Sequence, residues 1–130
     1  MAFTTAKGKV HFVMGNATTA QVNSGLVIVP ARADKTIAVV GGHLTARGGN
    51  AATATSVDIK DTASTPVVAV ACAVAGLTED TQLDFDAGSN VTRTTYRSPL
   101  TAGKGLQIQK TGSNLATATS VDYYVEYIYI

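Results

Sequence analysis

Tryptophan is absent from this chain, and cysteine occurs once, at position 72. One thiol cannot close an intrachain disulfide, so the fold does not depend on an oxidising compartment. Cys72 lies in Val-Ala-Val-Ala-Cys-Ala-Val-Ala and reads as a small buried apolar residue. Charge is also scarce. Asp, Glu, Lys and Arg make up 15% of the residues, against about 25% in ordinary globular domains. The shortage implies that part of the surface is covered by something. The net charge is +1, with Lys and Arg scattered. Binding to nucleic acid or to a membrane surface needs a clustered basic patch, so neither is expected as a partner. No apolar run approaches the roughly 20 residues of a spanning helix. The opening Met-Ala-Phe-Thr-Thr-Ala-Lys lacks the basic and apolar regions of a signal peptide. A soluble protein made in a cytoplasm is the expectation.

Reactive chemistry is equally thin. Nucleophilic catalysis needs a nucleophile, a base and an orienting group. The two histidines, His11 and His43, fall on separate strand candidates, and there is no G-x-S-x-G elbow. Glu79, Asp80, Asp84 and Asp86 form the acidic cluster. Asp84-Phe85-Asp86-Ala87-Gly88 begins like a calcium loop, but Gly88 stands where a third ligand belongs and Thr95 where the closing Glu belongs. Gly103-Lys104-Gly105 lacks the third glycine and following helix of a dinucleotide site, and reads as a tight turn. The expectation is no catalytic residue, no metal and no cofactor.

What is present is β-sheet material. The 130 residues suffice for one domain with its own core, with residues 1–8 expected as a flexible arm. Ala, Thr, Val and Gly dominate, and no segment shows helical periodicity. Strands are expected at Lys9–Met14, Thr18–Asn23, Leu26–Val29, Thr36–Val40 continuing as His43–Arg47, Ala51–Lys60, Val67–Val74, Gln82–Phe85, Val91–Tyr96 and Leu106–Lys110. Gly41-Gly42 predicts a bulge or bend between two of these segments. Val67–Val74 is apolar on both faces and should be buried on both. Ala116–Ile130 reads as one strand of about 15 residues, well beyond the common 5–6. Thr117, Thr119, Val121, Tyr123, Val125, Tyr127 and Tyr129 would face the core, and Asp122 and Glu126 would mark the wet side. Many short strands with turns between them predict an antiparallel β-sandwich, jelly-roll-like.

The chain also repeats itself. Asn50–Asp58 (NAATATSVD) matches Asn114–Asp122 (NLATATSVD) at eight of nine positions, 64 residues apart. Each copy follows a strand and a Gly-containing turn, so the two are expected to be one hairpin used twice, with Thr53, Thr55, Val57 and Ile59 inward in the first. Two surfaces are expected to meet other proteins. One is the loop carrying Arg93, Tyr96 and Arg97, since Tyr and Arg are favoured at interfaces. The other is the doubly apolar end, Tyr127, Ile128, Tyr129 and Ile130.

Several features occur together in order: Val27-Ile28-Val29-Pro30, Asp34-Lys35-Thr36-Ile37-Ala38-Val39, the Gly-Gly bend, Leu44-Thr45-Ala46, Leu100-Thr101-Ala102-Gly103-Lys104-Gly105-Leu106-Gln107-Ile108 and Val121-Asp122-Tyr123-Tyr124-Val125-Glu126-Tyr127. This pattern resembles small jelly-roll virion proteins of tailed bacteriophages, the head decoration or cement proteins and related fibre modules. The resemblance implies a non-enzymatic protein on the capsid surface, assembled in the host cytoplasm. It further implies a homo-oligomer, expected to be a trimer, that clamps the major capsid protein. A tail or fibre-tip module that binds a host receptor or glycan is the other expectation.

Overall fold

The computed structural model describes residues 9–130; the expected N-terminal arm, residues 1–8, lies outside the described residues. Alternating Val, Thr, Ile and Ala make nine strands among these residues: β1 (His11–Thr18), β2 (Leu26–Val29), β3 (Ile37–Arg47), β4 (Ala51–Asp61), β5 (Val68–Ala73), β6 (Gln82–Asp84), β7 (Val91–Arg93), β8 (Leu106–Thr117) and β9 (Ser120–Tyr129). They form two antiparallel sheets, one ordered β1-β9-β3-β6 and the other β2-β8-β4-β5-β7. The inward side chains fill the space between the sheets. Leu44, Val121 and Val125 of the first sheet, with Val57, Ile59, Val70 and Ile108 of the second, are fully buried. Each such burial contributes about 1.5–3 kcal/mol. The all-β sandwich read from the sequence is the fold observed.

Cys72 is buried as expected, and burial, followed by the charge of Asp58, pushes its thiol up to about 12. The strand around it differs from expectation. Ala69, Val70 and Cys72 are buried, but Val68, Ala71 and Ala73 are only half-buried. One face of β5 packs in the core; the other is partly open.

Three sequence readings need correction. Thr18–Asn23 is not a strand. It caps and enters helix α1 (Thr19–Ser24), in which Thr18 Oγ1 accepts from Gln21 N at 3.2 Å and Gln21 Oε1 accepts from Thr18 N at 2.9 Å. This reciprocal capping box satisfies two otherwise orphaned donors, and the single turn carries the chain from β1 to the second sheet with Val22 in the core.

Ala116–Ile130 is not one strand. Thr117 takes a φ of 70°, and Ala118 N–H donates back to Ala116 O at 2.8 Å, a three-residue turn of the γ type. β8 ends there in one sheet and β9 begins in the other. The equivalent residue of the first repeat copy, Thr53, has φ 75°. In both copies the kink shifts the alternation: Ala51, Ala54 and Val57 are buried and Thr53 and Thr55 exposed, as Leu115, Ala118 and Val121 are buried and Thr117 and Thr119 exposed. The expected inward Thr53 and Thr55 therefore face solvent.

The two copies are not two hairpins. Thr111-Gly112-Ser113-Asn114 makes no turn but lies within β8, with Gly112 at φ 86°. The strands of each copy pair with those of the other. In the first sheet β3 meets β9 as Arg47–Ser120, Ala46–Val121, Thr45–Asp122, Leu44–Tyr123, His43–Tyr124 and Gly42–Val125. Shifted by the repeat length, the same six pairs recur in the second sheet as Thr111–Ser56, Lys110–Val57, Gln109–Asp58, Ile108–Ile59, Gln107–Lys60 and Leu106–Asp61. Ala52 pairs with its own counterpart, Ala116. A local twofold thus passes between these alanines and exchanges the sheets. The halves interlock, so neither can form its sheet alone.

The expected bulge is present at Val40-Gly41, where the β3–β9 register shifts. A Cβ on the neighbouring Gly42, at φ 141°, would lie 2.2 Å from Tyr124 O and 2.7 Å from the Phe85 ring, so only glycine fits. The irregular stretch after β7 serves as an edge cover. Arg97 N donates to Val39 O at 2.8 Å and Leu100 N to Ile37 O at 2.9 Å, extending the sheet where the short β6 stops. Asp61, fully buried, accepts from the backbone N–H groups of Ala63, Val67 and Thr101 at 3.1, 3.0 and 2.9 Å and ties this stretch to the end of β4.

Candidate interaction surface

Paired residues share a sheet face. On the outer face of the first sheet, β1 therefore places Phe12, Met14 and Asn16 opposite Glu126, Tyr124 and Asp122 of β9, and β3 places His43 and Thr45 on the other side of Tyr124 and Asp122. Tyr124 is the centre. Its ring stacks on His43 at 5.1 Å and 20°, and meets Phe12 at 5.6 Å and 31°. Its hydroxyl donates to a Glu126 carboxylate oxygen at 2.9 Å, which raises the phenol above its ordinary pKa. Phe12 is 60% and Met14 65% exposed. The result is an aromatic row, Phe12–Tyr124–His43, with Met14 beside it, on an open sheet face. Single exposed apolar side chains need no explanation; a contiguous group is the kind of surface that interaction sites use.

The row separates two open depressions. One, of about 530 Å³, is bordered by Gly41, Asp84, Asp86, Arg97 and Glu126. The other, of about 580 Å³, is bordered by Met14, Asn16, Thr45, Arg47 and Asp122. His43 and Tyr124 line both. His43 Nδ1 is buried with no hydrogen-bond partner among the described residues. The far end of the face is a polar clamp. Asn16 Nδ2 donates to Asp122 at 2.7 Å and to Ser120 Oγ at 2.9 Å, and the Arg47 guanidinium bonds Asp122 at 2.7 Å and Asp80 at 2.9 Å. The bonds from Asn16 and then Arg47 hold the Asp122 carboxyl below the usual range.

The residues expected to meet other proteins separate into distinct places. Arg93 braces its own turn, donating to Phe85 O at 2.7 Å and Ala87 O at 3.0 Å. Tyr96 donates to Val40 O at 3.3 Å and Asp86 at 3.2 Å, and Arg97 lies 4.9 Å over the Tyr96 ring and 3.3 Å from Asp86. Burial, then the Asp86 charge, raises the Tyr96 phenol. Arg97 alone of the three borders a depression of the sheet face. Tyr127 points inward and is 9% exposed, stacked on His11 and edge-on to Tyr129, over which Arg32 sits at 5.2 Å. Ile128 is half-buried on the outer side and Ile130 is exposed.

Phe12, Met14 and Tyr124 were not singled out from the sequence, and His43 only as a histidine without a catalytic partner. A signal existed in β1: His11-Phe12-Val13-Met14 carries bulky residues on both faces, so one face must lie outside the core. Tyr124 was masked by Asp122 and Glu126, which made its face look wet. Comparison with family models, with curated proteins and with solved structures found no match for this chain.

Proposed function

We propose that this protein is a non-enzymatic structural component of a virion, a capsid decoration or cement protein that binds and stabilises the shell of the major capsid protein as a homo-oligomer. The observation that carries the reading is the half-buried Tyr124–His43 stack flanked by the exposed Phe12 and Met14. An apolar, aromatic patch on a rigid sheet fits a flat protein partner, and desolvated aromatic anchors dominate such interfaces. The low charge of the chain and its sequence resemblance point the same way. The strand order, with β1 to β4 alternating between the sheets and the first strand beside the last, supports the jelly-roll form.

The test is co-sedimentation with undecorated capsids. Wild-type protein is expected to bind in fixed ratio, and Tyr124→Ala and Phe12→Ser to bind weakly while keeping the β-sheet spectrum. Absence of wild-type binding sinks the reading.

One observation favours a tail or fibre module that recognises a glycan. The depression beside the Tyr124 ring is bordered by Asp84, Asp86, Glu126 and Arg97, an aromatic surface with hydrogen-bonding groups around it. Binding to host cells or a glycan array, with no binding to heads, selects this alternative.

A further inference from the structure

The four sheet edges are unequal. β6 and β7 have three residues each, and β2 has four, interrupted by a register shift and followed by Pro30. The run of β3 beyond β6 is covered by the backbone of Arg97 and Leu100. These are the ways native sheets blunt their edges. Among the described residues β1 shows none of them. It pairs with β9 through eight consecutive residues without a register shift, and His-Phe-Val-Met-Gly-Asn-Ala-Thr contains no charge and no proline. Alternate backbone N–H and C=O groups of an edge strand point away from its neighbour, and among the described residues no strand takes up those of β1.

We propose that β1 pairs antiparallel with β1 of a second copy, joining two first sheets into one of eight strands across a twofold axis. The strand suits itself as a partner. Without charges, self-pairing opposes no like charges, which would be destabilising. In the register centred on Val13, the two most exposed apolar side chains of the strand, Phe12 and Met14, face Met14 and Phe12 of the second copy. The contact is isologous and closes after two copies. Eight strands remain within the roughly ten that an open twisted sheet tolerates, and the new outer edges are the short β6 strands. The two aromatic rows then meet at the seam and form one continuous apolar surface. The pairing is independent of the capsid reading. A dimer that ignores capsids sinks that reading alone, and a trimer that coats them sinks this one alone.

The experiment is light scattering of the full chain and three variants, with circular dichroism and unfolding midpoints to establish folding. Wild type is expected at twice the monomer mass. Phe12→Lys/Met14→Lys, at two exposed positions, sets like charges opposite each other and is expected to be a folded monomer. Phe12→Lys/Met14→Glu sets opposite charges across the same seam and is expected to restore the dimer. Phe12→Glu/Met14→Glu, monomeric alone, is expected to dimerise when mixed with the double lysine variant. A wild-type monomer, including one whose β1 amides resist hydrogen exchange because another segment covers them, overturns the proposal. So does a trimer, or a dimer that survives the double lysine change.

Discussion

The two halves related by the local twofold share their backbone pairing, yet they solve the same local problem with different chemistry. Asp58 and Asp122 are equivalent, and so are Thr111 and Arg47. In the second sheet Asp58 is 2% exposed and accepts from two neutral hydroxyls, Ser56 Oγ at 2.6 Å and Thr111 Oγ1. In the first sheet Asp122 is open to solvent and bonds Arg47 and Asn16. A long cation fits where water can solvate its remaining donors; a short hydroxyl fits where it cannot. The same divergence shapes the surface. The positions of His43 and Tyr124 are taken in the second sheet by Gln107 and Lys60. The two halves share one pairing scaffold, and different residues at equivalent positions make one sheet face aromatic and leave the other polar.

Exchanging equivalent residues tests how far this symmetry extends. The largest effect is expected at Gly42, whose counterpart is the buried Leu106. Gly42→Leu adds both a clash and an unfavourable φ and should cost about 4 kcal/mol or more, read as loss of the cooperative unfolding transition. A variant as stable as wild type would show that the bulge is not needed. Asp58→Ala leaves the Ser56 and Thr111 hydroxyls without their acceptor and should cost about 2–3 kcal/mol in denaturant titration. The equivalent change, Asp122→Ala, breaks a solvent-screened ion pair and should cost under about 1 kcal/mol. Equal costs at the two sites would refute burial as the source of the difference.

Acid should weaken the fold through a third carboxylate. Burial alone would raise Asp61, but hydrogen bonds from the Thr101 side chain and from the backbone of Thr101, Val67 and Ala63 outweigh it and lower the pKa. A depressed folded value means that its stabilisation is fully present above the unfolded value of about 3.9 and is lost as pH falls through the lower folded value. Asp61→Asn should therefore flatten the acid limb of a stability–pH curve; an unchanged limb would count against this assignment. The smallest effect on stability is expected from His43→Gln/Tyr124→Lys, which gives the first sheet the outer residues of the second. Its unfolding midpoint should stay near wild type while the proposed capsid binding disappears. Retained binding would move the interface elsewhere.

Much of this was legible along the chain. Period-two alternation gave most of the strands, the Gly41-Gly42 pair the bulge in β3 and the Val/Ala run the buried Cys72, because these depend on neighbours within a few residues. Helix α1 was also written locally, in Thr18 and Gln21, but a polar six-residue segment gives too little periodicity to stand out. The turn at Thr117 was not legible. A threonine with positive φ costs energy and carries no sequence mark; it is held because Thr119 N bonds Arg47 O at 2.9 Å and Thr19 Oγ1 bonds Ala118 O at 2.6 Å, both remote contacts. Nor could Phe12, Met14 and Tyr124 be grouped, since they meet only across the β1–β9 ladder.

By itself, then, the sequence determined an all-β chain with a duplicated segment and an inward apolar set, because side-chain alternation and turn chemistry act over short distances. Tertiary structure decided which copy pairs with which, where the chain changes sheet, and that β1 presents both its outer side chains and its backbone edge. Strand pairing is non-local: the hydrogen bonds of a β-ladder join residues dozens of positions apart, and no local pattern names the partner.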